Sequence, residues 1–109
     1  CMKEDTAEKW ENILQLYNEL LLVNYSPAVA LNRTFALYKA NGWQPALAEA
    51  LKLKLENNHF YYVLLGELYR NNDIRKAISS FETAYSLAGT QAEKKGIREK
   101  INRLAEMLH

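Results

Sequence analysis

The sequence predicts an all-α protein built from antiparallel helical hairpins, about six helices in all. Three observations lead there. Apolar residues recur at spacings of three and four through long segments, the mark of helices with one buried face. Glycine (four) and proline (two) are scarce in the 109 residues, and several of them punctuate those segments. The breaks are only a few residues long, which turns each helix back along its predecessor.

The first helix runs from Thr6 to about Val23, capped by Asp5 or Thr6. Its predicted buried stripe is Trp10, Ile13, Leu14, Tyr17, Leu20 and Leu21, and Asn24-Tyr25 ends it. Ser26-Pro27 opens the second, because proline suits the first helical position, where its missing N–H is not needed. That helix runs to about Ala40 and stops at Asn41-Gly42. The third begins near Gln44-Pro45. Leu51, Leu53 and Leu55 alternate as in a strand, but Leu47, Leu51 and Leu55 also share a helical face among good helix formers, so a helix is expected. The fourth spans Asn58 to Arg70, and the fifth spans Asp73 to Ala88 and stops at Gly89. The sixth opens at Thr90 with Glu93 three positions on, a capping-box pair, and buries Ile97, Ile101, Leu104 and Leu108.

The fourth and fifth helices carry a repeat spacing. Tyr62, Leu65, Gly66 and Tyr69 fit W-x2-L-G-x2-Y, and Ala77, Phe81 and Ala84 fit A-x3-F-x2-A. These are the helix-A and helix-B patterns of a tetratricopeptide hairpin. Small residues at Gly66, Ala77 and Ala84 let two helices approach, and aromatics fill the space beside them. Leu at position 66 should therefore overpack, whereas Ala there should be neutral. A second register would put Asn72 in the turn-glycine slot, but it matches one position rather than four. The second and third helices form a more degenerate hairpin. Residues 1–109 are thus expected to fold as a single tetratricopeptide-like domain with a right-handed stack.

Composition excludes several classes. Hydrophobic residues at 49% and charged residues at 25% are ordinary for a globular domain. A formal net charge of +1 argues against direct nucleic-acid binding by bulk electrostatics. No apolar run reaches the ~18 residues of a membrane span. Cys1, the single cysteine, has no internal disulfide partner, which points to a reducing cytoplasm. His59 and His109 are the only histidines, and His59 near a helix start reads as a hydrogen-bonded structural residue. No metal-ligand spacing, phosphate-cradling glycine loop or acid–base pair stands out, so neither an enzyme, a metal nor a cofactor is expected. Glu49, Glu56 and Glu67 read as solvated faces. Phe60, Tyr61, Tyr62, Tyr69 and Tyr85 read as core residues, with a cofactor box or a peptide groove as the alternatives. Lys94, Lys95, Arg98, Lys100 and Arg103 alternate with Glu93, Glu99 and Glu106. Tyr61, Lys94, Lys95 and Arg98 form the candidate partner surface.

The stretch "SPAVALNR", residues 26 to 33, sets Asn32 and Arg33 inside an otherwise apolar helix. Asn32 bonded to a neighbouring loop and Arg33 paired with a carboxylate or snorkelling to solvent would explain the pair structurally. A ligand or partner contact is the alternative. The same stretch, with Ser26, Pro27, Leu31, Asn32 and Arg33 as its motif, resembles the C-terminal region of bacterial extracytoplasmic-function (ECF) RNA polymerase sigma factors that carry a tetratricopeptide-like extension. Glu4, Asp5, Thr6 and Trp10 fit the start of that pattern, and Ile13, Leu16, Tyr17, Leu20 and Leu21 follow. Glu67, Leu68, Tyr69, Ala77, Phe81, Ala84, Leu87 and Ala88 fit the later helices, and Glu93, Lys94, Lys95, Ile97, Ile101 and Leu104 the last. Trp43-Gln44 before Pro45, Thr34 for alanine, and Gly96 for a large apolar residue depart from it. Gly96 should cost roughly 1 kcal/mol relative to alanine and loosen the last helix.

The resemblance implies a C-terminal piece of a longer sigma factor, without that family's promoter-reading domains. It implies a regulatory module that modulates transcription initiation through contacts with its own sigma domains or with RNA polymerase. Oligomeric state is left open. A free-standing tetratricopeptide adaptor for a peptide or helix of another protein is the rival, and a small-molecule sensor with a cavity between helices is a third reading.

Overall fold

The computed structural model describes residues 6–23 and 25–108. Residues 1–5, with Cys1, Glu4 and Asp5 among them, and Asn24 and His109 lie outside the described residues. The chain is all-α: α1 (Ala7–Val23), α2 (Pro27–Asn41), α3 (Trp43–Leu53), α4 (His59–Tyr69), α5 (Ile74–Leu87) and α6 (Gln91–Glu106). The helices group into two compact units, Cys1–Lys54 and Leu55–His109. In the first, α2 packs on α1 and α3; in the second, α5 packs on α4 and α6.

Each start has a local cause. The first N–H groups of a helix lack partners in the helix, and a side-chain oxygen just before them supplies one. Thr6 accepts from Lys9 N at 3.1 Å, Ser26 from Val29 N at 3.1 Å, Asn58 from Phe60 N at 2.9 Å and Asp73 from Lys76 N at 3.2 Å. At α6 the capping box is complete: Thr90 accepts from Glu93 N, and Glu93 Oε1 accepts from Thr90 N at 3.2 Å. The α2–α3 corner is made by Gly42 alone, at φ 95°, with its N–H on the Tyr38 carbonyl. A side chain is strained in that conformation.

Three expected stripes shift in detail. Leu20 is exposed rather than buried, and Leu14 is the buried residue among those described in α1. In α3 the buried positions are Ala46 and Ala50, while Leu51 is exposed. Lys54 adopts the left-handed conformation (φ 52°) and ends α3, so Leu55 falls outside it. In α6, Ile97, Ile101 and Leu104 are buried, but Leu108 lies beyond the helix end and is exposed.

The second unit has a core of Ala77, Phe81, Ala84, Ala88, Ile97, Ile101 and Leu104, with Tyr62, Val63 and Tyr69 packed against it. Gly66 lies directly on the Phe81 ring; a Cβ there would stand 2.6 Å from Cζ. Leu65 is buried as well. Asn72 does not take a left-handed turn conformation; among the described residues Lys54 is the one non-glycine with positive φ. The register that places Gly66 between α4 and α5 is therefore the one adopted.

Candidate functional site

Arg33 is a brace. Its Nε donates to Asn18 Oδ1 at 2.6 Å, and Nη1 lies 3.6 Å from Glu49 Oε1. One guanidinium in α2 thus reaches α1 on one side and α3 on the other. Its planar fork suits such a double contact better than a point charge would. Glu49 also meets Lys52 at 3.2 Å, so it is not a purely solvated carboxylate. Asn32 differs from expectation. It is exposed and makes no side-chain hydrogen bond among the described residues, because its position faces solvent rather than a loop. Leu31 is buried, Ser26 caps α2 and Pro27 is its first residue. Thr34, unexpected in the core at 1% exposure, donates its hydroxyl to the Ala30 carbonyl at 2.9 Å. That bond is what lets a hydroxyl be buried there.

In the second unit two polar ties join α4 to α6. His59 Nε2 stands 3.6 Å from Glu93 Oε2 near the start of both helices. Glu67 Oε2 accepts from Lys100 Nζ at 2.8 Å two turns further on. The order of the ties means that α4 and α6 run parallel, as they must with α5 reversing between them. Glu67 also accepts from Arg70 Nη1 at 2.9 Å. Partial burial raises the Glu67 pKa, but the bonds and charges of Lys100 and Arg70 outweigh it and hold the carboxyl below its ordinary value. Desolvation likewise opposes ionisation of Glu93, and the Gly89 N–H, the His59 charge and Thr90 outweigh it, so its pKa is also lowered.

Between these ties lies an apolar groove of about 230 Å³, lined by Phe60, Val63, Ala92, Gly96 and Ile97, with His59·Glu93 at one end and Lys100 at the other. Phe60 is 59% exposed there. Gly96 is the reason the groove is open: a Cβ at that position would meet nothing within 4 Å. Ile97, the next residue, carries the buried contact of this turn of α6. A larger hollow of about 490 Å³ lies at the α4–α5 turn, and three of its polar side chains are engaged in the fold. Asp73 caps α5, Asn72 donates to the Leu68 carbonyl, and Arg70 pairs with Glu67.

The candidate partner surface is only partly brought together. Tyr61 is buried at 4% exposure, edge-on to Tyr62, and so presents no surface to a partner. Lys94 donates Nζ to the Tyr85 carbonyl at 2.8 Å and lies over the Tyr85 ring. That carbonyl is in the last turn of α5, where a cation complements the helix dipole. Arg98 covers the same ring at 4.6 Å. Lys95 stays exposed. The basic run is thus largely spent on internal contacts. The α4–α6 groove was missed in the sequence because Phe60 and Gly96 lie in different helices, with no local signal joining them. The absence of a side chain at 96 was the available clue.

No family model matches the chain, and no solved structure matches it. A curated protein of Rhizobium meliloti, described as uncharacterized, is 35% identical over 99 residues. The match takes in 88% of this chain and 23% of that relative, so the chain spans less than a quarter of the relative's length. Among the described residues no three His, Cys, Asp or Glu side chains group as a metal site, and no helix is long and apolar enough to cross a membrane.

Proposed function

We propose that this chain is a regulatory module of an ECF-type RNA polymerase sigma factor and acts through protein–protein contact. The "SPAVALNR" block carries the reading, and the matching residues on either side of it support it. The longer relative is consistent with a module inside a larger protein. The brace made by Arg33 gives the block a physical role in holding three helices together, which suits a fold signature rather than a ligand site.

The α4–α6 groove is the contact surface in this proposal. Its exposed Phe60 and unfilled Gly96 offer an apolar seat for a side chain of the sigma domains or of polymerase. Run-off transcription with the full-length parent, the parent lacking this module, and the parent carrying Gly96→Leu tests it. Loss of the module should change initiation at the cognate promoter, and filling the groove should reproduce that change while the module stays folded. Unchanged initiation in both would leave an adaptor for an unrelated partner as the better account.

A further inference from the structure

The apolar groove between α4 and α6 is one half of a longer track. Phe60, Val63, Glu67 and Arg70 are spaced three, four and three apart, so they share one stripe of α4. Gly96, Lys100 and Arg103, spaced four and three apart, share a stripe of α6. Because the two helices run parallel, the stripes change character at the same level. Phe60, Val63 and Gly96 make the first half apolar, and the Lys100–Glu67 bond at 2.8 Å begins the second. In that second half one carboxylate serves two cations, since Glu67 also accepts from Arg70 at 2.9 Å. Arg103, one turn beyond Lys100, is exposed and makes no ion pair among the described residues. Three cations thus stand against a single carboxylate. Glu99 and Glu106 lie further round α6, nearly opposite its buried face of Ile97, Ile101 and Leu104. At the other end Glu93 accepts from the Gly89 and Thr90 N–H groups and faces His59, so that end carries no excess of positive charge.

We infer that the occupant of this track is an amphipathic helix of a partner protein, with a docking face that is apolar at one end and acidic at the other. Charge complementarity sets the acidic end against Lys100, Arg70 and Arg103. A helix is the fitting form because its side chains recur at the same intervals of three and four as the two stripes, and its ridge can lie between two parallel helices. Gly96 and Arg103 are about 10 Å apart along α6, so an apolar anchor with carboxylates one and two turns away meets both halves at once. A net charge of +1 and a Phe60 that is 59% exposed favour a protein over a nucleic acid. The inference rests on the groove being the contact surface and adds the chemistry of what it contacts.

Fluorescence anisotropy of labelled peptides with the 109-residue chain tests it. The probes are alanine-based helical peptides of about 20 residues. Two of them carry a pair of leucines one turn apart, followed over the next two turns by glutamates in one and lysines in the other. A third keeps the glutamates and has alanine for leucine. The leucine–glutamate peptide should bind at least about tenfold more tightly than either of the others at low salt. Arg103→Glu should remove most of the preference for glutamate over lysine while helical circular dichroism is retained, and Arg103→Gln should remove a smaller part. Lys76→Glu makes the same charge change on α5, which does not line the groove, and should leave the preference unchanged. Gly96→Leu should weaken the leucine–glutamate peptide by filling the apolar half. Equal binding of the glutamate and lysine peptides overturns the inference and leaves the groove a contact indifferent to charge. Binding of none of them overturns it too; the contact surface then stands if Gly96→Leu in the parent still alters initiation, and both readings fall if it does not. A short DNA duplex bound more tightly than the acidic peptide, and lost in Arg103→Glu, would give the cations to phosphates instead.

Discussion

Gly66 and Phe81 are in face-to-edge register so close that the ring occupies the place of a side chain at 66: a Cβ would stand 2.6 to 2.7 Å from three of its atoms. Phe81 is 1% exposed and lies within the buried core of its unit. Gly66→Ala should therefore destabilise the protein by about 1–3 kcal/mol despite its better helix propensity, and Gly66→Leu by more. This replaces the neutral outcome that chain entropy alone suggests. Chemical denaturation of Gly66→Ala, alone and with Phe81→Leu, checks it: the second change should restore part of what the first removes.

Thr90 and Glu93 cap α6 reciprocally, so Thr90→Ala should cost about 0.5–2 kcal/mol. The thermal midpoint reads this directly. Thr90→Asp, which keeps an acceptor oxygen, should recover most of the loss.

Glu67 gives the second unit a pH dependence. Its pKa is lowered in the folded state, so the unfolded chain binds the proton more readily. Its stabilising effect is full above the unfolded value near 4.5 and is lost as pH falls through the lower folded value. Glu67→Gln should flatten that acid limb and leave a smaller loss at neutral pH. Urea midpoints at neutral pH and at several points below 4.5 measure both.

Arg33 contacts two helices, and removing it leaves the Asn18 amide oxygen without its donor and takes from Glu49 one of its two cations, Lys52 being the other. Arg33→Met should cost about 1–3 kcal/mol. Asn32→Ala, one residue away and exposed, should stay within about 0.5 kcal/mol. A double-mutant cycle of Arg33→Met with Asn18→Ala should show non-additivity, since the two share a bond at 2.6 Å.

Gly96→Ala should stabilise the chain by roughly 0.5–1 kcal/mol, because the position is helical and open. A loss of stability instead would mean that the groove is filled in solution. Thermal melts decide the sign.

The sequence by itself determined the six helices, their caps and the hairpin register. Each depends on residues a few positions apart: an oxygen before a first turn, a glycine after a last one, apolar residues one turn from the next. Thr90 with Glu93 and Gly66 within its signature were legible for that reason. Tertiary structure decided what touches across helices. Glu67 and Lys100 are 33 residues apart, and nothing local makes one select the other. Tyr61 and Phe60 are neighbours in sequence, yet a turn of 100° buries one and exposes the other. Lys94 and Arg98 look like surface cations until α5 brings Tyr85 beneath them. The periodicity of a helix says that it has a buried face, but which cation, ring or groove meets that face is set by the partner helix.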